Sequence, residues 1–118
     1  MNYVIGIDGG TESLRAGVFD LTGRPAAFAA TAYPTAFPQP GWAEQQPADW
    51  WAALGRSVRE AVSAAGVRQD AICGLAVDTT CCSVVALDAR GHALRPALLW
   101  MDVRAAEEAD LVRATGDP

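Results

Sequence analysis

The residues best suited to chemistry lie close together near the start of the chain, in Asp8-Gly9-Gly10-Thr11-Glu12-Ser13-Leu14-Arg15. A glycine pair lets backbone N–H groups approach an anion, because no Cβ stands in the way. The Thr11 hydroxyl and the Arg15 guanidinium add donors suited to phosphate oxygens. Asp8 opposes that reading when taken alone, since a carboxylate repels phosphate. It belongs beside phosphates only with a divalent cation between them, and Mg²⁺ with retained waters is the fitting ion. The plain alternative is a hairpin turn with Gly-Gly chosen for backbone geometry. A second apolar run, Ile72 to Asp78, also ends in a carboxylate. Asp78 either faces a site from that strand end or caps a turn through its own side chain.

Composition removes several other chemistries. The chain has 118 residues, 51% hydrophobic and 19% charged, enough for one domain with a real core and unlike a disordered chain. All nine basic residues are arginines, which excludes a phosphate-loop lysine or a Schiff-base lysine within these residues. A single histidine, His92, argues against a histidine metal site or a Ser-His-Asp unit, and its place beside Gly91 predicts a solvent-facing turn. The net charge of −5 disfavours nucleic acid as a partner. Cys73, Cys81 and Cys82 are odd in number and lack C-x-x-C spacing, so they are expected to be small buried side chains. If the adjacent pair is extended, its two thiols face opposite ways. No signal peptide and no run of roughly 20 apolar residues is evident, so no membrane partner and a cytoplasmic location are expected.

The elements that must position Asp8 and Asp78 follow from hydrophobic patterning. Tyr3–Asp8, Leu14–Asp20 and Ala26–Tyr33 read as three strands joined by short turns, an antiparallel meander. The segment 34–47 holds four of the seven prolines and reads as loop. A helix is expected from Ala48-Asp49 to Ala65, with Trp50, Leu54, Val58, Ala61, Val62 and Ala65 on one stripe and Gly66 as its stop. Ile72–Asp78 reads as a further buried strand. Ser83–Leu87 and Arg95–Trp100 read as a hairpin across the turn at 88–91, and Asp102 to about Thr115 as a helix. The order predicts an α/β architecture, a mixed sheet with helices on its faces. The last residues, Ala114 to Pro118, read as a turn that closes no second layer, so the chain reads as part of something larger.

Ile5-Gly6-Ile7-Asp8-Gly9-Gly10-Thr11 with Arg15-Ala16-Gly17 on the next strand resembles the first phosphate motif of sugar kinases with the ribonuclease-H-like (actin/hexokinase-type) ATPase fold. Three more segments, in order and spaced to match, resemble the FGGY carbohydrate kinases: Pro40-Gly41-Trp42-Ala43-Glu44-Gln45-Gln46-Pro47-Ala48-Asp49-Trp50-Trp51, Gly74-Leu75-Ala76-Val77-Asp78-Thr79-Thr80, and Pro96-Ala97-Leu98-Leu99-Trp100-Met101-Asp102-Val103-Arg104. Val77 to Ser83 and Leu99 to Ala105 resemble the ribulokinase-type members most. The absence of an Arg-Glu pair near Thr79-Thr80 sets the chain apart from glycerol kinases.

The resemblance implies that residues 1–118 form the N-terminal part of the first domain of such a kinase. It implies Asp8 organising Mg²⁺ through water, and Gly10, Thr11 and Arg15 at the phosphates of ATP. Asp78, Thr79 and Thr80 would bond hydroxyls of a sugar or polyol. Trp100 would offer its face to the carbon skeleton, and Asp102 would accept from a hydroxyl or cap the last helix. Arg104 is expected to pair with Glu107 or Glu108, Trp42, Trp50 and Trp51 to anchor core or loop, and Glu12 to be a solvated turn residue. The general base, a carboxylate, is expected outside these residues, leaving the isolated chain inactive, and a homodimer is an option for the full-length protein. Two other readings stay open: a different kinase of the same ATPase fold, or a stand-alone sugar- or phosphate-binding or regulatory domain.

Overall fold

The computed structural model describes residues 1–116, so Asp117 and Pro118 of the expected terminal turn lie outside the described residues. The meander forms as the apolar alternation requires: β1 (Tyr3–Gly9), β2 (Ser13–Asp20) and β3 (Pro25–Ala32) pair antiparallel in sequence. Asp20 closes the second turn, its Oδ1 accepting the Thr22 and Arg24 N–H groups. The chain then leaves the sheet, forms α1 (Pro47–Ala65) and returns as β5 (Ile72–Thr79), parallel to β1. The main sheet therefore runs β3-β2-β1-β5.

Alternation along the strands gives the sheet two unlike faces. Ile5, Ile7, Leu14, Ala16 and Val18 form one face and pack under α1, against Ala53 and Ala61. Fully burying each of the larger of these side chains contributes about 1.5–3 kcal/mol. Trp50, Leu54, Val58, Val62 and Ala65 pack around this core, as the helical stripe predicts. Ser57 is also fully buried: its Oγ donates to the Leu14 carbonyl at 3.1 Å and accepts from Thr31 Oγ1 at 2.8 Å. Gly66 ends the helix in the left-handed conformation, φ 63°, which glycine adopts without a Cβ penalty. On the other face Phe19 and Phe28 meet edge to face over Gly17, whose missing Cβ makes room for both rings.

Two expectations about the second half change. The hairpin from Ser83 to Trp100 is reduced to single bridges, Val84 with Leu98 and Leu87 with Ala93. Pro96 has no N–H for the ladder, and β6 (Ala97–Leu98) pairs on its other side with β4 (Glu44–Gln45), inside the segment expected to be loop. The last helix, α2 (Ala106–Ala114), begins after Ala105 rather than at Asp102, whose carboxylate is engaged elsewhere. No described helix is long and apolar enough to cross a membrane.

Candidate active site

Strand register brings the two strand-end carboxylates together. Asp8 pairs with Asp78 across the parallel β1/β5 ladder, and with Arg15 across the antiparallel β1/β2 ladder. Register partners project to the same face, so Asp8, Arg15 and Asp78 share one side of the sheet at the carboxyl ends of two parallel strands. The face is the one opposite α1. Arg15 Nη2 lies 3.0 Å from Asp8 Oδ2, with both side chains more than half exposed. An exposed pair of this kind opens at little cost, leaving both groups available to a ligand. Asp78 Oδ1 accepts the Thr79 N–H at 2.9 Å, so the turn-capping role and a strand-end position coexist.

The glycine turn between β1 and β2 is held from three sides. Gly10 N–H donates to the Ser13 carbonyl, and Thr80 N–H reaches back to the Gly9 carbonyl, both at 3.0 Å. The Tyr33 hydroxyl donates to the Gly10 carbonyl, and burial pushes that phenol's pKa up. Gln45 Nε2 donates to the Thr11 carbonyl and to Thr35 Oγ1, each at 2.7 Å, while its Oε1 accepts from Trp50 Nε1 at 2.8 Å. From the opposite wall the Trp100 indole N–H donates to Thr11 Oγ1 at 3.2 Å. A Cβ on Gly10 would stand 3.3 Å from Arg15 Nη2 and from the Ser13 carbonyl, so any larger residue would have to push these neighbours back by a few tenths of an ångström.

A cavity of about 250 Å³ opens beside this turn, lined among others by Gly9, Gly10, Gln45, Thr79, Thr80 and Ser83. Ser83 Oγ is buried with no hydrogen-bond partner among the described residues. A second cavity of about 390 Å³ is lined by Thr11, Thr80, Cys81, Cys82 and Trp100. Of the sequence-expected residues, Gly10, Thr79 and Thr80 line the first cavity and Thr11, Thr80 and Trp100 the second, while Asp8, Arg15 and Asp78 line neither and stand in register on the sheet face opposite α1.

Asp102 lines neither cavity. Its carboxylate is almost wholly buried, accepts the Ala43 N–H at 2.8 Å and takes a bidentate grip from Arg104 at 2.6–2.8 Å. Arg104 holds the Asp102 carboxyl well below the usual carboxylate range. The helix-cap role and the expected pairing of Arg104 with Glu107 or Glu108 are both replaced by this contact. Arg104 also reaches Glu44 Oε1 at 2.9 Å, as does Arg95, and its guanidinium stacks 3.7 Å over the Trp42 ring. Trp42 and Trp50 are therefore loop anchors, whereas Trp51 is exposed. The network fixes the loop that carries Trp100 against β4.

All three cysteines are exposed, contrary to the expected burial. Cys73 lies on β5, the sheet's edge strand, where Leu75 and Val77 are also uncovered. Cys81 and Cys82 sit in the turn after it. Glu12 and His92 are exposed as expected, with His92 Nδ1 3.3 Å from Asp88 Oδ2. Gln45, Tyr33 and Ser83 were missed by sequence reasoning. Gln45 had a signal, since it lies inside the tryptophan-flanked segment 40–51.

Paired carboxylates of hard oxygen character suit Mg²⁺. No group of three His, Cys, Asp or Glu side chains gathers among the described residues, so water would complete such an ion's coordination.

Residues 3–118 match the FGGY family of carbohydrate kinases, N-terminal domain. A glycerol kinase from Alkalilimnicola ehrlichii is 36% identical over 117 residues, covering 98% of this chain and 24% of that protein. The crystal structure of xylulose kinase from Rhodospirillum rubrum superposes with a TM-score of 0.88 at 33% identity, over 97% of this chain and 23% of that one. Plasmodium falciparum glycerol kinase, solved with ADP, shares the fold at 20% identity and a TM-score of 0.78, over 97% of this chain and 23% of that one. The chain thus spans about a quarter of the length of these relatives. Their names are those of glycerol and xylulose kinases and do not single out the ribulokinase type. A family match over almost every residue, on the actin/hexokinase-like ATPase fold, places this chain in the FGGY family of carbohydrate kinases.

Proposed function

We propose that this chain forms one wall of the catalytic cleft of an ATP-dependent kinase that phosphorylates a hydroxyl of a pentulose or related polyol. The observation that carries this reading is the Asp8–Asp78 register, which sets a glycine turn and a hydroxyl-rich strand end on one rim. ADP in the falciparum relative supports ATP as the donor. Gly10 and Thr11 would lie at the phosphates, with Arg15 released from Asp8 to neutralise their charge. Asp8 would hold Mg²⁺ through water, and the ion supplies further charge neutralisation to the triphosphate.

On the acceptor side, Asp78, Thr79 and Thr80 offer directional partners for hydroxyls, and the unpartnered Ser83 hydroxyl adds one more. The half-exposed Trp100 ring offers a flat surface to C–H edges. The narrower substrate reading, a ribulokinase-like pentulose kinase, rests on Val77–Ser83 and Leu99–Ala105. We place the general base in the part of the protein outside these residues, so the isolated chain would not turn over, and we place the protein in the cytoplasm.

The test is ADP release by the complete protein with Mg·ATP against D-xylulose, L- and D-ribulose and glycerol. A pentulose should give the highest kcat/KM, and Asp78→Ala should raise the sugar KM more than the ATP KM. No ADP with any acceptor would overturn the kinase reading, and a selective rise in the ATP KM would overturn the assignment of Asp78.

A further inference from the structure

Cys81 and Cys82 lie side by side in the turn that follows β5. The Cys82 thiol donates to Cys81 Sγ across 3.6 Å. Neighbouring residues of an extended strand would point their side chains to opposite faces. Here Cys82 has φ 59°, the positive-φ conformation that non-glycine residues avoid because Cβ crowds the backbone. That twist brings both sulfurs to one side. Both are exposed, and with Thr11, Thr80 and Trp100 they line the cavity of about 390 Å³. No third metal-ligating side chain joins them among the described residues, which leaves dithiol chemistry rather than a metal site.

We propose that Cys81–Cys82 is a redox modification site, a vicinal dithiol that a hydroperoxide converts into an intramolecular disulfide on the wall of this cavity. Cys81, as thiolate, attacks a peroxide oxygen; the O–O bond breaks and, with one proton taken up, water leaves, giving the Cys81 sulfenic acid. Cys82 then attacks Cys81 Sγ, the S–O bond breaks, the S–S bond forms, and a second water departs with the Cys82 proton. The two thiols lose two hydrogens and two electrons, and hydrogen peroxide becomes two waters. The hydrogen bond that the Cys82 thiol donates to Cys81 Sγ holds it facing the sulfur it must attack, the geometry of a resolving thiol, and pushes its pKa up. Cys73 cannot replace it: Cys73 to Thr79 runs along β5 for roughly 20 Å at about 3.3 Å per residue. The site is independent of which sugar, if any, the cavity takes.

The complete protein carrying Cys73→Ser is treated with hydrogen peroxide and weighed intact. A species about 2 Da lighter, restored by dithiothreitol, is the expected result. In wild type, fragmentation of the peptide Gln69–Arg90, which holds all three cysteines, should place the bond between Cys81 and Cys82. Adding Cys81→Ser or Cys82→Ser should abolish the lighter species and leave a sulfenic acid that dimedone traps on the remaining thiol. Oxygen adducts without loss of two hydrogens, a bond to Cys73 in wild type, or a disulfide between two molecules would each overturn the proposal.

Discussion

Replacing Gln45 with alanine would strip partners from the Thr11 carbonyl, the Thr35 hydroxyl and the Trp50 indole at once. These three groups are half-buried and can recover part of their bonding from water, so each costs no more than the low end of about 1–3 kcal/mol, and Gln45→Ala should lower stability by about 2–4 kcal/mol in urea titration. Asp102 carries a pH signature. Because Arg104 depresses its pKa, the unfolded chain binds a proton there that the folded chain refuses. Its contribution is complete above about pH 4, the unfolded carboxylate range, and drains away as pH falls toward the lower folded value. Asp102→Asn should lower Tm at pH 7 and flatten the acid limb of Tm against pH, with Asp20, Asp70 and Asp88 contributing to the slope that remains. An unchanged limb would assign the effect elsewhere. Asp8→Asn should leave stability within about 0.5 kcal/mol, because its ion pair is exposed. The Asp8-to-Arg15 motif was legible in the sequence because its neighbours are local. The inward turn of Asp102 was not, since its partners Ala43 and Glu44 lie far away in the chain and no spacing rule connects them.

Elements defined by local patterning appear where the residues place them. The meander and α1 match to within a residue or two, since alternation and the three- and four-residue stripe need no distant partner. The Ser83–Trp100 hairpin is reduced to single bridges because Ala97 pairs with Gln45 and Leu98 divides its pairing between Val84 and Glu44, so the main partner lies in a proline-rich segment that reads as loop. Gly17 tests the packing of the uncovered face. A Cβ there would come within 2.7 Å of both phenylalanine rings, so Gly17→Ala should destabilise by about 1–3 kcal/mol, read by urea unfolding. Phe28→Ala in the same background should recover part of that loss if the clash is the cause.

The whole molecule is drawn out, with a Cα radius of gyration of 18.2 Å and extents of 57 × 31 × 29 Å. A compact chain of this length would have about 13–14 Å. Small-angle scattering of this chain should give a radius near the larger value, and a result near the smaller one would mean that the β4/β6 and α2 region folds back onto the sheet. The parallel ladder between β1 and β5 also orders events in time. Hairpin contacts around Gly10 close loops of a few residues, whereas Asp8 meets Asp78 only after the entire helix-bearing connection has been drawn in. Loop-closure entropy delays such distant pairings. The glycine turn should thus be born early and its acidic neighbour late, so that pulse-labelled exchange finds the Ala16 amide protected before that of Ala76, and the strand-end rim comes into being as two halves of different age.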